Sequence, residues 1–398
     1  AMKTFLFIFS MLFITSSIFC QVDNNTLNKS IGARIFGNTS LWEDSPQSVA
    51  KRLGIKFEST KAKDDEIYSA YVKAKLCGAD AREIKIESKD KKITSLKIVF
   101  FNKGDFATGK KWTSSMSAKM RKDAKAIYDT LSTHFNKPKI TNAGEAGIKT
   151  KAYQWSSNDS IFQLLYEEKE FIILNIESKN SANDDDKSSD KVRKKELEKN
   201  VEKNDNNDVV VKIPMVNQGG KGYCFPATIE RLLLYLGIEG IDMHKLADMF
   251  KTGAGGGTYL SDALTPLEKL GRTKGFKVET IGIDFSKLAK NIDDGIPMGW
   301  LMFSTPEYNT HKTTRTAQRE NKDIKEWKKF CAKEKKLKTK INRKTAHICI
   351  ILGYNKETKE VAVSDSWGGS EDTIFWVPFN SAKMVSQSPA LLIFKPKN

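Results

Sequence analysis

Residues 178–208 constrain the fold of this chain more than any other segment. Of these 31 residues 17 are charged, and only Ala182, Val192, Leu197 and Val201 are apolar. A stretch with so little to bury cannot offset its ordering entropy, so it is expected to be a solvated, disordered linker with at most a transient helix around Lys191–Lys203. No single core can run through it. The 398 residues therefore read as two domains, 21–177 and 209–398, each long enough to stand without disulfide staples. Composition agrees with two folded bodies, since 39% hydrophobic and 10% aromatic residues exclude global disorder.

Residues 1–20 read as an export signal: Lys3, the apolar run Phe5–Ile14, then the small polar Thr15, Ser16 and Ser17. That run is shorter than the roughly 20 residues a membrane span needs, and no later segment reads as a span. The expected location is secreted, periplasmic or cell envelope. Cys20 is a candidate for lipidation, although Phe19 is a poor fit to the small residue a lipobox wants. The five cysteines (20, 77, 224, 331 and 349) contain no Cys-x-x-Cys, and the four histidines lie far apart. Neither a disulfide framework nor a zinc pattern results, and no metal or cofactor is expected. The net charge of +17 comes from 66 basic residues, of which only 10 are Arg. Phosphate readers favour the bidentate Arg fork, so a Lys excess of this kind points to an AT-rich genome rather than to a nucleic acid partner.

Upstream of the charged stretch, strand-like alternation appears at 83–87, 96–100, 162–166 and 171–176. A helix from Ser114 or Ser115 to His134 carries Met116, Met120, Ala124, Ile127 and Leu131 on one face and stops at Asn136-Lys137-Pro138. This N-terminal domain is α+β and offers no catalytic constellation. His134 reads as a capping residue near the helix C-terminus, and Trp42, Trp112 and Trp155 read as core aromatics. Downstream, strand 209–213 is followed by helices at 224–236, 243–250 and 261–271. Strands at 277–283, 297–303, 346–354, 360–365, 373–377 and 390–394 then form a mostly antiparallel sheet, again an α+β layout.

Gly222-Tyr223-Cys224-Phe225-Pro226-Ala227 places a cysteine at a loop-to-helix junction, with proline in the first turn. The positive end of the helix favours the thiolate there, which suits a nucleophile. Such a nucleophile also needs a base and an orienting group. His347 and Asp365 lie on neighbouring strands that a turn near 355–358 would fold into a hairpin. Gln218, six residues before Cys224, is placed to form an oxyanion hole with the Cys224 backbone N–H.

The ordered set Gln218, Cys224, His347 and Asp365-Ser366-Trp367-Gly368 resembles the papain-like cysteine peptidases over roughly residues 209–398. Asp in place of Asn, and the Tyr-Cys-x-Pro-Ala start, are more similar to the bacteriocin-leader-processing branch, which cuts after double glycine. The resemblance implies Cys224 as nucleophile, His347 as general base and then acid, Asp365 as orienter of the imidazole, Gln218 as oxyanion donor and Trp367 as a shield. It also implies that Asp365→Asn is tolerated better than Asp365→Ala. Lys221 occupies the place of a family disulfide cysteine, so that bridge is absent. No transporter module follows, so a leader-export role is not expected.

Gly253–Thr258 lacks a phosphate-loop pattern and reads as a cleft wall. Cys77 and Cys331 read as unpaired thiols, and His244 and His311 as surface residues. A basic insertion, 304–345, carries 14 Lys or Arg against five acidic residues. It is expected near the cleft, with a short amphipathic helix at 323–335, and is either a recruiter of an acidic or anionic partner or a plain solvated loop. The function expected from the sequence is an exported thiol peptidase acting on peptides or proteins. An acyl or γ-glutamyl transferase and a non-catalytic binding module are the alternatives.

Overall fold

The computed structural model describes residues 23–62, 65–106, 111–143, 150–157, 159–179, 194–238, 240–369 and 373–397. The signal-like segment with Cys20 lies outside them, as does 180–193 of the charged stretch. Among the described residues no helix is long and apolar enough to cross a membrane. The architecture is α+β with two cores and two antiparallel sheets.

The N-terminal sheet runs β1 (Glu58–Ala62), β2 (Asp65–Leu76), β3 (Ala79–Lys89), β4 (Lys92–Asn102), β8 (Phe171–Ser178), β7 (Ser160–Glu167), β6 (Thr150–Ser156), β5 (Lys139–Ala143). Short helices α1 (Asn24–Ile31) and α2 (Pro46–Leu53) precede it, and α3 (Ser114–Phe135) crosses it. Thr113 caps α3, and the face bearing Met120, Ala124, Ile127 and Leu131 is buried, as the periodicity predicts. Ile84, Ile86, Leu96 and Ile98 meet it from the sheet. Trp155 is buried, and Trp42 and Trp112 pack against the same core. His134 hydrogen-bonds Ser30 at 2.6 Å. Strands β1, β2, β5 and β6 are not evident from the sequence, because their apolar residues are too few or too unevenly spaced to show a clear alternation.

The charged stretch differs from expectation over its described part, residues 194–208. It folds into α4 (Lys194–Glu198), β9 (Val201–Lys203) and the start of β10 (Asp208–Val211). Two isolated apolar residues account for this: Leu197 is buried in the C-terminal core and Val201 packs against it. Asp208, at the end of the stretch, is buried and accepts from Asn355 Nδ2 at 2.7 Å.

In the C-terminal sheet, β11 (Phe276–Ile281), β16 (Ser386–Pro396), β12 (Met298–Phe303), β13 (Ala346–Asn355), β10 and β9 follow in spatial order. Strand β14 (Glu360–Ser364) pairs with β13 and with β15 (Phe375–Pro378). The first helix of this half, α5 (Cys224–Tyr235), is buried nearly all round and packs on β12 and β13. Helices α6 (Met243–Met249) and α7 (Leu260–Lys274) lie where the pattern puts them. Helices α8 (Phe285–Asp293) and α11 (Phe379–Val385) are not evident from the sequence.

The insertion is not a solvated loop. It forms α9 (Pro306–Glu320) and α10 (Ile324–Lys333), with Tyr308, Lys312, Arg315, Thr316 and Trp327 buried. Arg315 bonds Glu360 and Glu334, Trp327 Nε1 donates to Glu360 at 2.9 Å, and Arg319 reaches Asp208 at 2.5 Å. Part of its positive charge is therefore neutralised inside the protein. Buried ions need partners of this kind, because an unpaired charge in the interior costs several kcal/mol.

The two halves meet over further buried charge. Lys97 bonds Asp242 at 2.6 Å, Lys85 lies 3.5 Å from Glu230, and Lys221 bonds Glu83 at 2.8 Å. His244, expected at the surface, is buried at this junction with its ring edge-on to Tyr223. His311 is half-buried in α9, 3.8 Å from Glu334.

Candidate active site

Cys224 opens α5, and no side chain caps that helix, so the N–H groups of its first turn are left to other acceptors. The thiol stands near the Phe225 N–H, the Ile348 N–H of β13 and the His347 side chain, the groups that favour its charged form. Burial pushes the Cys224 thiol up, but the His347 hydrogen bond and charge and the two backbone donors outweigh it and bring it below the ordinary value. The other described cysteines go the opposite way: burial raises Cys77 to about 12 and Cys331 to about 11, and Cys349 well above the usual thiol range.

His347 stands on β13, and Asp365 immediately follows β14, the next strand of the hairpin. Its Nε2 lies 2.7 Å from Asp365 Oδ1, so Nδ1 is the ring nitrogen left for the Cys224 thiol. Both side chains are buried. Burial pulls the imidazole down, yet its bonds to Asp365 and Cys224 raise it to about 9. Burial pushes the Asp365 carboxyl up, but His347 first and Lys312 second hold it at about 2. The arrangement therefore favours a thiolate beside an imidazolium, which rests on a carboxylate. Trp367, half exposed, stacks on the His347 ring with centroids 4.3 Å apart and covers it from solvent.

Gln218 is fixed at both ends of its amide. Ser366 Oγ donates to its Oε1 at 2.7 Å, and its Nε2 donates to the Lys221 carbonyl at 2.7 Å. The Gln218 backbone N–H in turn donates to the Ser366 carbonyl at 2.8 Å. An amide nitrogen carries two hydrogens, so one N–H remains after the Lys221 bond. All four residues singled out in the sequence, Gln218, Cys224, His347 and Asp365, are thus brought to one place.

Two residues of the site are missing from the sequence reading. Lys312 of α9, buried, bonds Asp365 Oδ2, and its ammonium lies 4.4 Å from the centre of the Phe375 ring. Arg231, one face of α5 further on, is fully buried and donates to the carbonyls of Pro214 and Asp365, each at 2.9 Å, and to Ser364 Oγ at 2.8 Å. It ties the backbone that carries Asp365 to the helix that carries Cys224. Both sit in stretches where a basic residue looks like surface charge, so the only available signal was helical spacing on a buried face. The Gly-rich segment packs behind the loop before Cys224: Gly222 lies against the Gly255–Gly256 backbone so closely that a Cβ would fall 1.9 Å from the Gly255 oxygen. Among the described residues no His, Cys, Asp and Glu cluster could hold a metal ion.

A model of the peptidase C39-like family matches residues 210–384. No curated protein matches the chain. Among solved structures, a Bacillus anthracis protein described as a C39-like peptidase is similar at 17% identity and a TM-score of 0.33, covering 48% of this chain and 99% of that one. A cysteine-rich secretory protein of Staphylococcus aureus is similar at 11% identity and a TM-score of 0.20, covering 36% and 45%. The matched segment spans the helix that opens at Cys224, the His347 strand and Asp365, and over it the C-terminal half of this chain is similar to the C39-like peptidase family.

Proposed function

We propose that the protein is an exported thiol peptidase that hydrolyses peptide bonds through a Cys-His-Asp acyl-enzyme. The observation that carries this reading is the buried His347–Asp365 pair, 2.7 Å apart, beside a Cys224 thiol at a helix N-terminus that His347 holds below its ordinary value, with the Gln218 amide anchored to Ser366 and the Lys221 carbonyl. The Cys224 thiolate attacks the scissile carbonyl carbon, and the resulting oxyanion is met by the free Gln218 N–H and the Cys224 backbone N–H. The C–N bond then breaks as the His347 imidazolium gives its proton to the leaving amine. Neutral His347 next takes a proton from water as the hydroxide attacks the thioester, and the C–S bond breaks to release the acid product and restore the Cys224 thiolate beside the His347 imidazolium. Asp365 keeps the ring in the tautomer this sequence requires. If an amine rather than water resolves the thioester, the same residues make a transferase.

Incubation of the protein with a peptide library, with products read by mass, tests the reading. Cleavage products that carry added amine instead of water assign the transferase, and no covalent product at all, with no Cys224 adduct, assigns a binding module.

The pH profile carries its own sign. The reactive pair needs His347 protonated, so kcat/KM should fall as pH rises through about 9, where the imidazolium is lost. Its stabilising effect is complete below 6.5, the ordinary value, and disappears over the same rise. Asp365 contributes fully above 3.8 and loses its effect as pH falls through about 2. A basic limb near 6.5 would show that Asp365 and Cys224 do not raise the imidazole.

A further inference from the structure

Lys221 is unusual in holding two different parts of the protein with two ends of one residue. Its side chain is only 1% exposed and leaves the C-terminal half altogether: Nζ donates to Glu83 Oε2 of β3 at 2.8 Å and to Tyr71 Oη of β2 at 2.9 Å. Its backbone carbonyl accepts from Gln218 Nε2 at 2.7 Å, and its N–H reaches back to the Gln218 carbonyl at 3.4 Å. The N-terminal sheet is therefore connected to the Gln218 amide through a single residue. Glu83 is held below the usual carboxylate range: burial pushes it up, but the Lys221, His244 and Lys85 charges prevail.

The rest of the turn is gripped from the same side. Gly219 has a φ of +61°, and a Cβ there would lie 1.5 Å from Tyr71 Oη, so the Tyr71 ring sits directly on the loop. Asn217 Nδ2 lies 3.4 Å from Glu58 of β1. Tyr223, the residue before the nucleophile, presses its ring on Gly104 after β4, and the Gly255 N–H donates to the Lys103 carbonyl at 3.2 Å. Every one of these contacts comes from the N-terminal domain, and every one falls on 217–223 or on the Gly-rich segment behind it.

We infer that the N-terminal domain is a built-in positioning element of the active site: through the Glu83–Lys221–Tyr71 contact it holds the 217–223 loop so that the free Gln218 N–H points at the reacting carbonyl. The inference rests on the peptidase reading above and gives the N-terminal half a role in it. Glu83 and Lys221 touch no substrate; they act through the Lys221 carbonyl on Gln218. An error of about 1 Å in such a donor is costly, because its whole benefit depends on being in place before charge develops.

The test compares Glu83→Gln, Gln218→Ala and their combination in the full chain, using a peptide that the wild type cleaves. Gln218→Ala should lower kcat by about 10²-fold, as loss of an oxyanion donor does. Glu83→Gln should lower kcat by about tenfold with KM within about twofold, because the ground-state peptide does not need the oxyanion donor. In the Gln218→Ala background Glu83→Gln should add no further loss, since a device that acts only through Gln218 has nothing left to position. Alkylation of Cys224 by iodoacetamide, which uses no oxyanion hole, should keep its wild-type rate and pH dependence in Glu83→Gln. Because Glu83→Gln leaves Lys221 buried without its counterion, Glu83→Met combined with Lys221→Met serves as the folded control. That variant should melt near the wild type and still show the reduced kcat, since an apolar contact does not fix the direction of the loop. Wild-type kcat in the folded double variant, additive losses with Gln218→Ala, or alkylation falling in step with kcat would each overturn the positioning role. A wild type without turnover overturns the peptidase reading itself, a result separate from active wild type with insensitive Glu83.

Discussion

Cys224→Ala is expected to abolish turnover, leaving less than a tenth of the wild-type rate, while shifting the melting temperature little. In the proposed mechanism the thiolate is the attacking atom, and no other group in the site can replace it. Cys224 is only partly buried, so trading sulfur for hydrogen leaves a small gap in a helix whose packing is carried by Ile229, Leu232 and Leu233. His347→Ala should be as severe, and the double change no worse than either alone, because residues that work as one unit are not additive. The same chemistry predicts where a thiol reagent goes. Cys224 is lowered while burial raises Cys77, Cys331 and Cys349, so iodoacetamide at neutral pH should label Cys224 first. Peptide mapping that finds Cys331 labelled ahead of Cys224, or a Cys224→Ala protein that still turns over, would remove Cys224 from its role.

The parts of this site that were legible in the sequence share a property: local pattern reports them. Pro226 and the spacing of Ala227 and Leu233 mark a helix start, and a cysteine there has a physical consequence whatever surrounds it. Strand alternation around Ile348 and Val363, with a turn between, is enough to set His347 beside Asp365. Lys312 and Glu83 lack that property. Lys312 lies in a polar run and Glu83 on the charged face of an alternating strand, and their partners are 53 and 138 residues away in sequence. Only the packing of a second element on the first converts an ordinary surface-type lysine into a buried counterion. The charged stretch shows the same effect, since Leu197 and Val201 suffice to fold residues 194–208 onto a sheet that the composition alone does not reveal. Buried ion pairs are where pattern reading fails, because hydropathy scores them as solvent-facing.

Asp365→Asn is expected to be nearly as damaging as Asp365→Ala, contrary to what the matching Asn of papain-like enzymes suggests. The difference is Lys312. Asp365 serves two donors at once, His347 through Oδ1 and the buried Lys312 ammonium through Oδ2. An asparagine has one acceptor oxygen to offer. If that oxygen faces His347, the NH₂ group faces a buried cation that has lost its counterion. If it turns toward Lys312, the NH₂ donates to His347 Nε2, which forces the ring proton onto Nδ1, where it must instead accept from the thiol. One orientation strains the fold and the other places the imidazole in the wrong tautomer, a defect that costs roughly 10⁴-fold in kcat in triads of this logic. Unpairing a buried charge also destabilises, by about 3–5 kcal/mol. Adding Lys312→Met to Asp365→Asn removes the conflict: the amide oxygen is free to accept from His347 Nε2–H, and its NH₂ meets no charge. The double variant should therefore melt higher than Asp365→Asn alone and recover at least about tenfold in kcat, a rescue that independent losses cannot produce. Near-wild-type kcat in Asp365→Asn, or a double variant no better than the single, would show that Lys312 does not decide why this chain carries an aspartate.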